Sequence, residues 1–508
     1  RAPSLDWALS GQTGVRFNRD DAFRRISRSF HAVKDSEYAP PVSLQKTLRK
    51  YQRDGYRWLR TLDGYGMGGI LADDMGLGKT VQVLSYLLAM KQNGQTLPSL
   101  IVCPASLVLN WAEECQKFTP ELSCVVVDGD AAHRAELAES WPAADLVVTS
   151  YDLLRRDEAL YEGQEFYACI LDEAQAIKNH TTQKYKAVCK VRSRVRFALT
   201  GTPVENRLGE LWSIFSFLMP GYLPPYKSFC SRFEKPIVQE EDQTAVRRLN
   251  QLTGPFILRR MKADVLKELP PKTENVYRIE LEEEQRKLYL AAVVDAREKL
   301  QAAKPEDKMA VFAVLMRLRE ICCDPRLIAD NWTGGSAKLD ACIELVTSAV
   351  ESGHRILLFS QFTSMLELLA KRLDEAGVSH FTLQGSTPKP VRAELVRRFN
   401  SGEADVFLIS LRAGGTGLNL TAADIVIHYD PWWNVAAQNQ ATDRAYRIGQ
   451  QNPVQVYKLI AQDTIEEKIV ELQQAKQSLA DTVTGTADGA ILSMRPDELL
   501  QLLEGSEP

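Results

Sequence analysis

The segment ILADDMGLGKT combines residue types that bind the phosphates of a nucleotide. Gly76 and Gly78 carry no side chains, so their backbone N–H groups can come close to phosphate oxygens. The Lys79 amine would reach the β- and γ-phosphates, and the Thr80 hydroxyl would bind Mg²⁺. The residues predicted to contact the nucleotide along this loop are Asp74, Met75, Gly76, Leu77, Gly78, Lys79 and Thr80. The alternative is a surface turn that contains Gly-Lys-Thr by chance.

One position departs from the usual phosphate-loop pattern, G-x-x-x-x-G-K-[ST]. The first glycine of that pattern would stand where this chain has Asp73. The local context still favours a phosphate loop, because the apolar run GGILA leads into the segment and a helical stretch, VQVLSYLLAM, follows it. A strand, a glycine-rich loop and a helix in this order are the structural setting of a phosphate-binding site.

A pair of acidic residues in the motif ILDEA (170–174) supplies the second part of a nucleotide site. Asp172 would hold Mg²⁺, and Glu173 would polarise the water that attacks the γ-phosphate. The alternative is a surface acidic pair at the start of a helix. The apolar run YACIL directly before the pair favours the end of a buried strand, and therefore the metal-binding interpretation.

Two arginines in QATDRAYRIGQ could neutralise the charge that develops on the γ-phosphate. Arg444 and Arg447 are three residues apart, which predicts that they share one face of a helix. The alternative is a solvated basic helix face. Because the two arginines lie far along the chain from Lys79, the pattern predicts an active site between two domains.

The bulk composition limits the class of protein. A chain of 508 residues predicts two to four domains, and 45% hydrophobic with 25% charged residues is typical of a globular protein. The formal net charge of −4 argues against a globally basic nucleic-acid binder. Any binding to a polyanion must therefore use local basic surface.

Cysteine usage indicates a reducing compartment. None of the nine cysteines forms a C-x-x-C pair, so we expect free thiols and no zinc site. No apolar run approaches the ~18 residues of a membrane span, and no signal peptide is visible. We therefore expect a cytoplasmic protein, associated with the nucleoid if it is bacterial. Because the first residue is Arg1 rather than Met, we also expect a fragment of a longer protein.

Two stretches of the chain alternate short apolar runs with amphipathic segments, which predicts an α/β fold with two parallel sheets covered on both faces. The predicted strands are GGILA (68–72), SLIVCP (99–104), DLVVTS (145–150), YACILDE (167–173), FALTGT (197–202), RILLFS (355–360), HFTLQG (380–385), DVFLIS (405–410), DIVIHYD (424–430) and VQVYKLI (454–460). Residues 205–335, between the two stretches, have apolar residues at three-to-four spacing and are predicted to be mostly helical.

These patterns predict five segments along the chain. They are an N-terminal extension (1–40), a first lobe (41–270) in which a helical insertion begins near residue 205, the rest of that insertion with a linker (271–335), a second lobe (336–480) and a C-terminal helical tail (481–508).

Taken together and in order, the motifs resemble those of the helicase-like ATPases of superfamily two, and within them the Swi/Snf-type DNA translocases. The matching segments are LRKYQRDGYRWL (48–59), ADDMGLGKT (72–80), IVCPASLVLNW (101–111), VVTSYD (147–152), ILDEAQAIKN (170–179), LTGTPVEN (199–206), LFSQFTSML (358–366), SLRAGGTGLNLTAAD (410–424) and QATDRAYRIGQ (440–450). FILRRMKADVLKELPPK (256–272) is similar to a stretch specific to the Swi/Snf group. In this family the position of Asp73 is normally acidic, so the missing glycine is expected.

The resemblance covers residues 44–475 and implies two tandem RecA-like lobes that use ATP and Mg²⁺. It also implies that Gln52 reads the adenine and that Thr200 and Thr202 couple the nucleotide state to the grip on DNA. Gly417 and Asn419 would lie near both nucleotide and DNA. The compact chain resembles bacterial members of the family.

The fourth residue of the ILDEAQ motif differs from the pattern of many family members. Those members have His where this chain has Gln175. The difference leaves the roles of Asp172 and Glu173 intact, but it puts in question the contact that couples this motif to LTGT.

The resemblance further implies a set of contacts with the phosphates of the DNA backbone. The residues concerned are Ser106, Asn110, Thr149, Ser150, Ser360 and Thr416. The alternative at each of these positions is strand-end capping by a short polar side chain, which sequence favours equally.

Two further groups have two interpretations each. Trp432 and Trp433 could stack on bases, but packing within the protein is favoured because a protein that tracks along a duplex meets few exposed bases. Arg259, Arg260 and Lys262 could face phosphates or form a solvated helix face, and the solvated face is favoured.

The function implied by the resemblance is ATP-driven movement along double-stranded DNA, without strand separation, that slides or displaces DNA-bound proteins. Contacts with backbone phosphates would make that movement nearly independent of sequence. A strand-separating DNA or RNA helicase is the first alternative, and the Swi/Snf-specific stretch with the helical insertion argues against it. A non-catalytic binding module is the second alternative. The residues that argue against it are all intact: Lys79, Asp172, Glu173, Arg444 and Arg447.

Overall fold

The computed structural model describes residues 38–201, 208–240, 242–266, 270–302, 308–329, 331–411, 418–432, 435–471, 473 and 499–500. The chain divides into two compact units, Arg1–Lys267 and Glu268–Pro508. The predicted N-terminal extension and C-terminal tail lie almost entirely outside the described residues. In the part of the chain that is described, no helix is both long enough and apolar enough to cross a lipid bilayer.

A seven-stranded sheet forms the centre of the first unit. Its strands are β1 (Gly69–Leu71), β2 (Ser99–Cys103), β3 (Cys124–Val126), β4 (Leu146–Ser150), β5 (Glu165–Leu171), β6 (Arg192–Leu199) and β7 (Ile257–Leu258). They lie in the order β3-β4-β2-β5-β6-β1-β7, and every neighbouring pair is parallel. Strands β1, β2 and β4 are buried along their whole length, because helices cover both faces of the sheet. All five strands predicted for this half are confirmed.

Twelve helices belong to the described part of the first unit. They are α1 (Lys50–Gly64), α2 (Lys79–Gln92), α3 (Val108–Phe118), α4 (Ala131–Ser140), α5 (Tyr151–Arg156), α6 (Glu158–Glu162), α7 (Gln183–Lys190), α8 (Leu208–Leu218), α9 (Tyr226–Phe229), α10 (Lys235–Gln239), α11 (Gln243–Thr253) and α12 (Lys262–Val265). Helices α8 to α11 form the predicted helical segment that follows residue 205. The chain then returns to the sheet as β7, which pairs with β1 at the edge.

A six-stranded sheet forms the centre of the second unit. Its strands are β8 (Lys272–Ile279), β9 (Ile356–Ser360), β10 (His380–Leu383), β11 (Val406–Ser410), β12 (Ile425–His428) and β13 (Val454–Ala461). They lie in the order β10-β11-β9-β12-β13-β8, again all parallel. The five strands predicted for this half are confirmed. Together the two sheets confirm the predicted fold of two tandem, RecA-like parallel-sheet lobes.

Strand β8 corrects the helical interpretation of residues 271–335. It pairs with β13 along its whole length and forms an edge of the second sheet. Seven of its eight residues are exposed or only half-buried, so it lacks the apolar run by which the other strands were recognised. The Lys458 ammonium on β13 contacts the Glu274 carboxylate on β8 at 2.9 Å, and this ion pair helps to hold the edge strand against β13.

Helices cover both faces of the second sheet. They are α13 (Glu283–Ala302), α14 (Lys308–Cys323), α15 (Ala337–Glu351), α16 (Thr363–Glu375), α17 (Lys389–Asn400) and α18 (Val435–Thr442). One apolar cluster lies between the sheet and α15 and α16, and a second lies on the opposite face against α17 and α18. A third cluster joins α13 and α14 to the chain that follows β13.

His428, at the end of β12, is a fully buried titratable group in this unit. Burial and the nearby Lys458 ammonium lower the pKa of His428 to about 3. Its Nε2 atom lies 2.9 Å from the Thr442 hydroxyl, and its ring stacks on Phe359 at 5.6 Å between centroids. The folded protein therefore keeps His428 neutral, whereas the unfolded chain would protonate it near pH 6.5.

We predict that the stability of the second unit falls as the pH drops from about 6.5 towards 3. In that window the unfolded chain binds one more proton than the folded chain at His428, at a cost of at most about 1.4 kcal/mol per pH unit. In His428→Phe, which keeps an aromatic ring beside Phe359 but binds no proton, the decline should be shallower. Thermal unfolding between pH 7 and pH 4 checks this. Equal slopes for both proteins would show that His428 does not cause the decline.

Candidate nucleotide-binding and catalytic site

The predicted phosphate loop connects β1 to the N-terminus of α2. Gly76 and Gly78 adopt positive φ angles of 80° and 75°, a conformation that favours glycine. A Cβ atom on Gly78 would also lie 2.5 Å from Nε2 of Gln52. Glycine is thus required at position 78. The loop leads directly into the first turn of a 14-residue helix, where backbone N–H groups and the helix dipole favour an anion.

The phosphate-binding lysine lies against its own loop. Lys79 Nζ donates to the carbonyl oxygen of Asp73 at 2.6 Å and lies 3.4 Å from that of Asp74. A bound phosphate would offer this ammonium a charged acceptor in place of neutral carbonyl oxygens, which makes the stronger hydrogen bond. The geometry of the loop thus fits a nucleotide phosphate.

Helix α1, which contains the predicted adenine reader Gln52, contacts the same loop. The Tyr51 hydroxyl and Gln52 Nε2 both donate to the carbonyl oxygen of Leu77 at 3.0 Å. Gln52 Oε1 in turn accepts from the backbone N–H of Arg49 at 2.9 Å. The Gln52 amide is buried and already bonded at both ends, so it supports the loop in this structure. Its role as adenine reader stays a prediction.

Two of the three basic residues that were predicted to form a solvated helix face lie inside the first unit instead. Arg260 contacts Asp73, and Lys262 is buried, with its backbone N–H donating to Asp74 Oδ2 at 2.9 Å. Only Arg259 is exposed. The prediction of a solvated face is therefore wrong for Arg260 and Lys262, because this segment packs beside the phosphate loop.

Strand β5 ends at the predicted metal ligand. Asp172 Oδ1 accepts the backbone N–H of Glu173, and its Oδ2 accepts the Nε1–H of Trp111, both at 2.9 Å. The Tyr151 hydroxyl holds the backbone carbonyl of Asp172 at 2.9 Å. Two hydrogen bonds thus hold the two carboxylate oxygens, and a third holds the backbone of the same residue. Sequence reasoning missed Trp111, although it lies next to Asn110 in a motif that was recognised.

The environment of Asp172 suits a cation. Burial and the neighbouring Glu173 carboxylate raise the pKa of Asp172 above its ordinary value, and the Trp111 hydrogen bond and the Lys79 ammonium oppose this effect. Although part of its surface is accessible, the surrounding protein disfavours its negative charge. A hard divalent cation bound by the carboxylate would remove that penalty, so the donor set fits Mg²⁺. The acidic motif follows β5 and the phosphate loop follows β1, and only β6 lies between these two strands in the sheet.

Glu173 adopts a left-handed conformation, with φ 48° and ψ 56°, which costs a non-glycine residue about 1–2 kcal/mol. Its Oε2 accepts Gln175 Nε2 at 2.8 Å, and Gln175 Oε1 accepts the Thr200 hydroxyl at 3.0 Å. Gln175 therefore bridges the predicted catalytic glutamate to the end of β6. This is the contact that the replacement of His had put in question. Thr202, the other predicted coupling residue, lies outside the described residues.

The two arginines of the second unit are not on one face of a helix. Helix α18 ends at Thr442, and Arg444 and Arg447 lie in the turns that follow. The helix stops because the chain forms tight turns there, in which the N–H of Arg444 donates to Ala441 and that of Arg447 to Ala445. Arg444 is buried, and Arg447 Nη1 donates to the carbonyl oxygen of Leu418 at 3.3 Å. Their predicted role in catalysis is not tested by this placement.

Three of the hydroxyl groups predicted to contact DNA lie inside the protein. Thr149 Oγ1 accepts the Tyr161 hydroxyl at 2.9 Å, Ser150 Oγ caps α5, and Ser360 Oγ donates to Asp430 at 2.6 Å. All three side chains are buried. Their predicted contact with DNA through the hydroxyl group does not fit this structure, because each hydroxyl satisfies an internal partner at a strand end.

The other residues predicted to contact DNA that the structure describes are more accessible to solvent. Ser106 and Asn110 are half-buried, and Asn419 is exposed. Gly417, Thr416 and Trp433 lie outside the described residues. Trp432 packs against two apolar clusters of the second unit, which confirms the interpretation as a packing residue for this tryptophan.

Known families match both units. Residues 51–327 match the SNF2-related domain, and residues 337–449 match the helicase conserved C-terminal domain. An uncharacterized ATP-dependent helicase of Mycoplasma genitalium is 40% identical over 462 residues, which are 90% of this chain and 44% of that protein. YwqA of Bacillus subtilis, named as an ATP-dependent helicase/translocase, is 39% identical over 505 residues, 97% of this chain and 55% of that protein.

A eukaryotic relative is also similar. The TATA-binding protein-associated factor MOT1 of Saccharomyces cerevisiae is 35% identical over 552 residues, which cover 94% of this chain and 30% of that protein. The chain thus spans about half the length, or less, of these curated relatives. Among solved structures, a Sulfolobus solfataricus SWI2/SNF2 ATPase core in complex with dsDNA has 35% identity and a TM-score of 0.45, covering 89% of this chain and 96% of that one.

We predict that Trp111→Phe weakens Mg²⁺-dependent nucleotide binding about tenfold. The change removes the hydrogen bond that orients Asp172, and partners of metal ligands of this kind typically contribute 10–100-fold. Titration of a fluorescent ADP analogue at several Mg²⁺ concentrations measures the effect.

Trp141→Phe is the matched control. Trp141 is equally buried in the same unit, and its Nε1 atom has no hydrogen-bond partner among the described residues. Loss of nucleotide binding to the same extent in both variants would mean that packing, and not the orientation of Asp172, causes the effect.

Proposed function

Because this chain belongs to the SNF2-related family of helicase-like ATPases, we propose that it hydrolyses ATP to move along double-stranded DNA without separating the strands. Movement of this kind would slide or remodel proteins bound to the DNA. The family match covers residues 51–327, more than half of the chain. The motifs that carry the resemblance lie in both units.

The observation that carries the ATPase proposal is the meeting of three strand ends at one edge of the first sheet. Strand β1 leads to Lys79, β5 leads to Asp172 and Glu173, and β6 leads to Thr200. The carboxyl ends of parallel strands form the usual ligand-binding edge of such sheets. Hydrogen bonds already connect the acidic motif to β6 through Gln175.

Each residue of this edge has a distinct task in the proposed reaction. The loop amides and Lys79 bind the phosphates, and Thr80 and Asp172 hold Mg²⁺, which neutralises phosphate charge when bound. Glu173 accepts a hydrogen bond from the attacking water, orients it towards the γ-phosphate and takes up its proton as the water attacks. Gln175 holds the Glu173 carboxylate in place while it also bonds to Thr200.

Arg444 and Arg447 complete the proposed chemistry. We assign them to stabilising the charge on the γ-phosphate during transfer, because phosphoryl transfer needs positive charge there. Both belong to the second unit, so this assignment makes hydrolysis dependent on both units of the chain.

The nucleic-acid part of the proposal is supported by the relatives. YwqA is named as a helicase/translocase, and MOT1 is named as a factor associated with the TATA-binding protein. A motor that acts on DNA-bound proteins fits both names. We propose a cytoplasmic site of action, on the nucleoid if the protein is bacterial, with little preference for DNA sequence because the predicted contacts are with phosphates.

We predict that duplex DNA stimulates ATP turnover, and that single-stranded DNA and RNA stimulate it much less. A motor that follows a duplex requires both strands for productive contact. Phosphate release is measured with each nucleic acid and with none, at one fixed salt concentration, because phosphate contacts depend on salt. Stimulation by single strands or RNA alone would favour the strand-separating helicase. No turnover under any condition would favour a binding module without catalysis.

We predict that Glu173→Gln lowers turnover at least about 100-fold while ATP still binds, because the variant cannot accept the proton of the attacking water. Lys79→Ala should weaken ATP binding as well as turnover. Glu165→Gln is the control, since Glu165 is exposed at the opposite end of the same strand. Phosphate release and binding of a fluorescent ATP analogue separate the two effects. Wild-type turnover in Glu173→Gln would remove Glu173 from the proposed mechanism.

A further inference from the structure

The chain segment after β7 runs alongside the phosphate loop and is bonded to it. The N–H of Ala72 donates to the carbonyl oxygen of Leu258 at 2.7 Å, and that of Asp74 donates to the carbonyl oxygen of Arg260 at 3.0 Å. The N–H of Lys262 then donates to Asp74 Oδ2 at 2.9 Å. The start of the loop therefore has a backbone partner on this side, just as Leu77 has side-chain partners from α1 on the other.

The Arg260 side chain holds the first residue of the loop. Its Nε donates to Asp73 Oδ1 at 2.8 Å, and its Nη2 donates to the other carboxylate oxygen, so the ion pair is bidentate. Asp73 is fully buried, and Arg260 is only 13% exposed. Gln82 of α2 completes the cluster, because its Oε1 accepts from Arg260 at 2.7 Å and its Nε2 donates to Asp73 at 3.2 Å.

Helix α1 packs closely against this cluster of Asp73, Gln82 and Arg260. A Cβ atom on Gly55 would lie 1.8 Å from Gln82 Oε1 and 2.8 Å from Nη2 of Arg260. The Arg260 guanidinium also lies over the Tyr51 ring, 5.2 Å from its centroid, and donates to the Tyr51 carbonyl oxygen. Glycine in the middle of a helix is unfavourable by about 1 kcal/mol relative to alanine, so its presence here points to a packing requirement.

The charge of Asp73 poses a problem for a site that binds a polyanion. Its carboxylate belongs to the phosphate loop, and Asp74 adds a second carboxylate next to it. A buried carboxylate without a cation would both destabilise the loop and repel a triphosphate. Arg260 supplies the compensating charge from outside the loop. In addition, Lys79 donates to the backbone carbonyl of Asp73, so the position of Asp73 also determines where the phosphate-binding ammonium lies.

We propose that Arg260 is a positioning residue for ATP: it neutralises Asp73 and holds the phosphate loop in its binding conformation. The inference rests on the proposed ATPase function and adds a residue that the phosphate loop itself does not contain. Arg260 also belongs to the last stretch of the first unit, which ends at Lys267. The same side chain therefore connects the nucleotide loop to the segment that continues into the second unit.

The test compares ATP binding by the wild-type chain, Arg260→Met, Asp73→Asn/Arg260→Met and Arg259→Met, in the absence of nucleic acid. Arg260→Met should weaken binding of a fluorescent ATP analogue at least tenfold. The double variant should recover most of that loss, because it removes the carboxylate that Arg260 neutralises. Arg259→Met should bind as the wild type does, since Arg259 is the exposed neighbour of the same residue type.

Thermal unfolding of each variant without nucleotide accompanies the titrations. If Arg260→Met does not fold, Arg260→Gln takes its place, because glutamine keeps a polar side chain of similar reach but carries no charge to neutralise Asp73. Binding within twofold of wild type in a folded Arg260 variant would overturn the proposal. So would a loss of binding that Asp73→Asn fails to restore. Absence of ATP binding in the wild-type chain would instead overturn the proposed function, on which this inference rests.

Discussion

Parallel hydrogen bonding in the first sheet is the constraint on which the candidate site depends. Because β1, β5 and β6 are adjacent and parallel, their carboxyl ends reach the same edge. The residues that follow them come from positions far apart in the sequence, yet they lie within hydrogen-bonding reach. The N–H of Thr200 donates to the carbonyl oxygen of Leu71 at 3.2 Å, so the coupling residue and the start of the phosphate loop are held by one backbone contact.

Gln175 shows how a departure from a family pattern can preserve a connection. An amide has a donor and an acceptor on the same carbon, and here the donor serves Glu173 while the acceptor serves Thr200. An imidazole could form both bonds only in one tautomer, and its charge would change near neutral pH. The amide keeps the same donor and the same acceptor at any pH. This chain therefore connects its acidic motif to β6 by a bridge that does not titrate.

Much of the fold and the centre of the site could be predicted from sequence. Strands buried on both faces appear as apolar runs, and the phosphate loop and acidic motif have characteristic spacing. The edge strand β8 was not predicted because its residues are mostly exposed. Strands β3 and β7 were not predicted because they are only three and two residues long. Arg444 and Arg447 were placed on a helix because their spacing fits one, whereas the turn bonds that end α18 depend on tertiary structure.

Side chains whose partners are distant in sequence were the hardest to interpret. Thr149 and Ser360 are short polar residues at strand ends, where an exposed ligand contact and an internal hydrogen bond have the same sequence pattern. Trp111 was not recognised as a donor to Asp172, because 61 residues separate the two positions. Arg260 looked like part of a solvated face because nothing nearby in sequence shows that Asp73 lies opposite it.

The Asp73–Arg260 pair also restricts how sequences of this kind can change. The two positions are separated by 187 residues, yet a substitution at either one leaves a buried charge without its partner, at a typical cost of roughly 3–5 kcal/mol. Glycine at position 73 would remove the carboxylate that Arg260 pairs with, and the nearly buried guanidinium would lack its counter-charge. Gly55 belongs to the same set, because any larger residue would occupy the space of Gln82 and Arg260. These three positions therefore depend on one another through charge and space, and we expect a substitution at one of them to be tolerated only together with changes at the others.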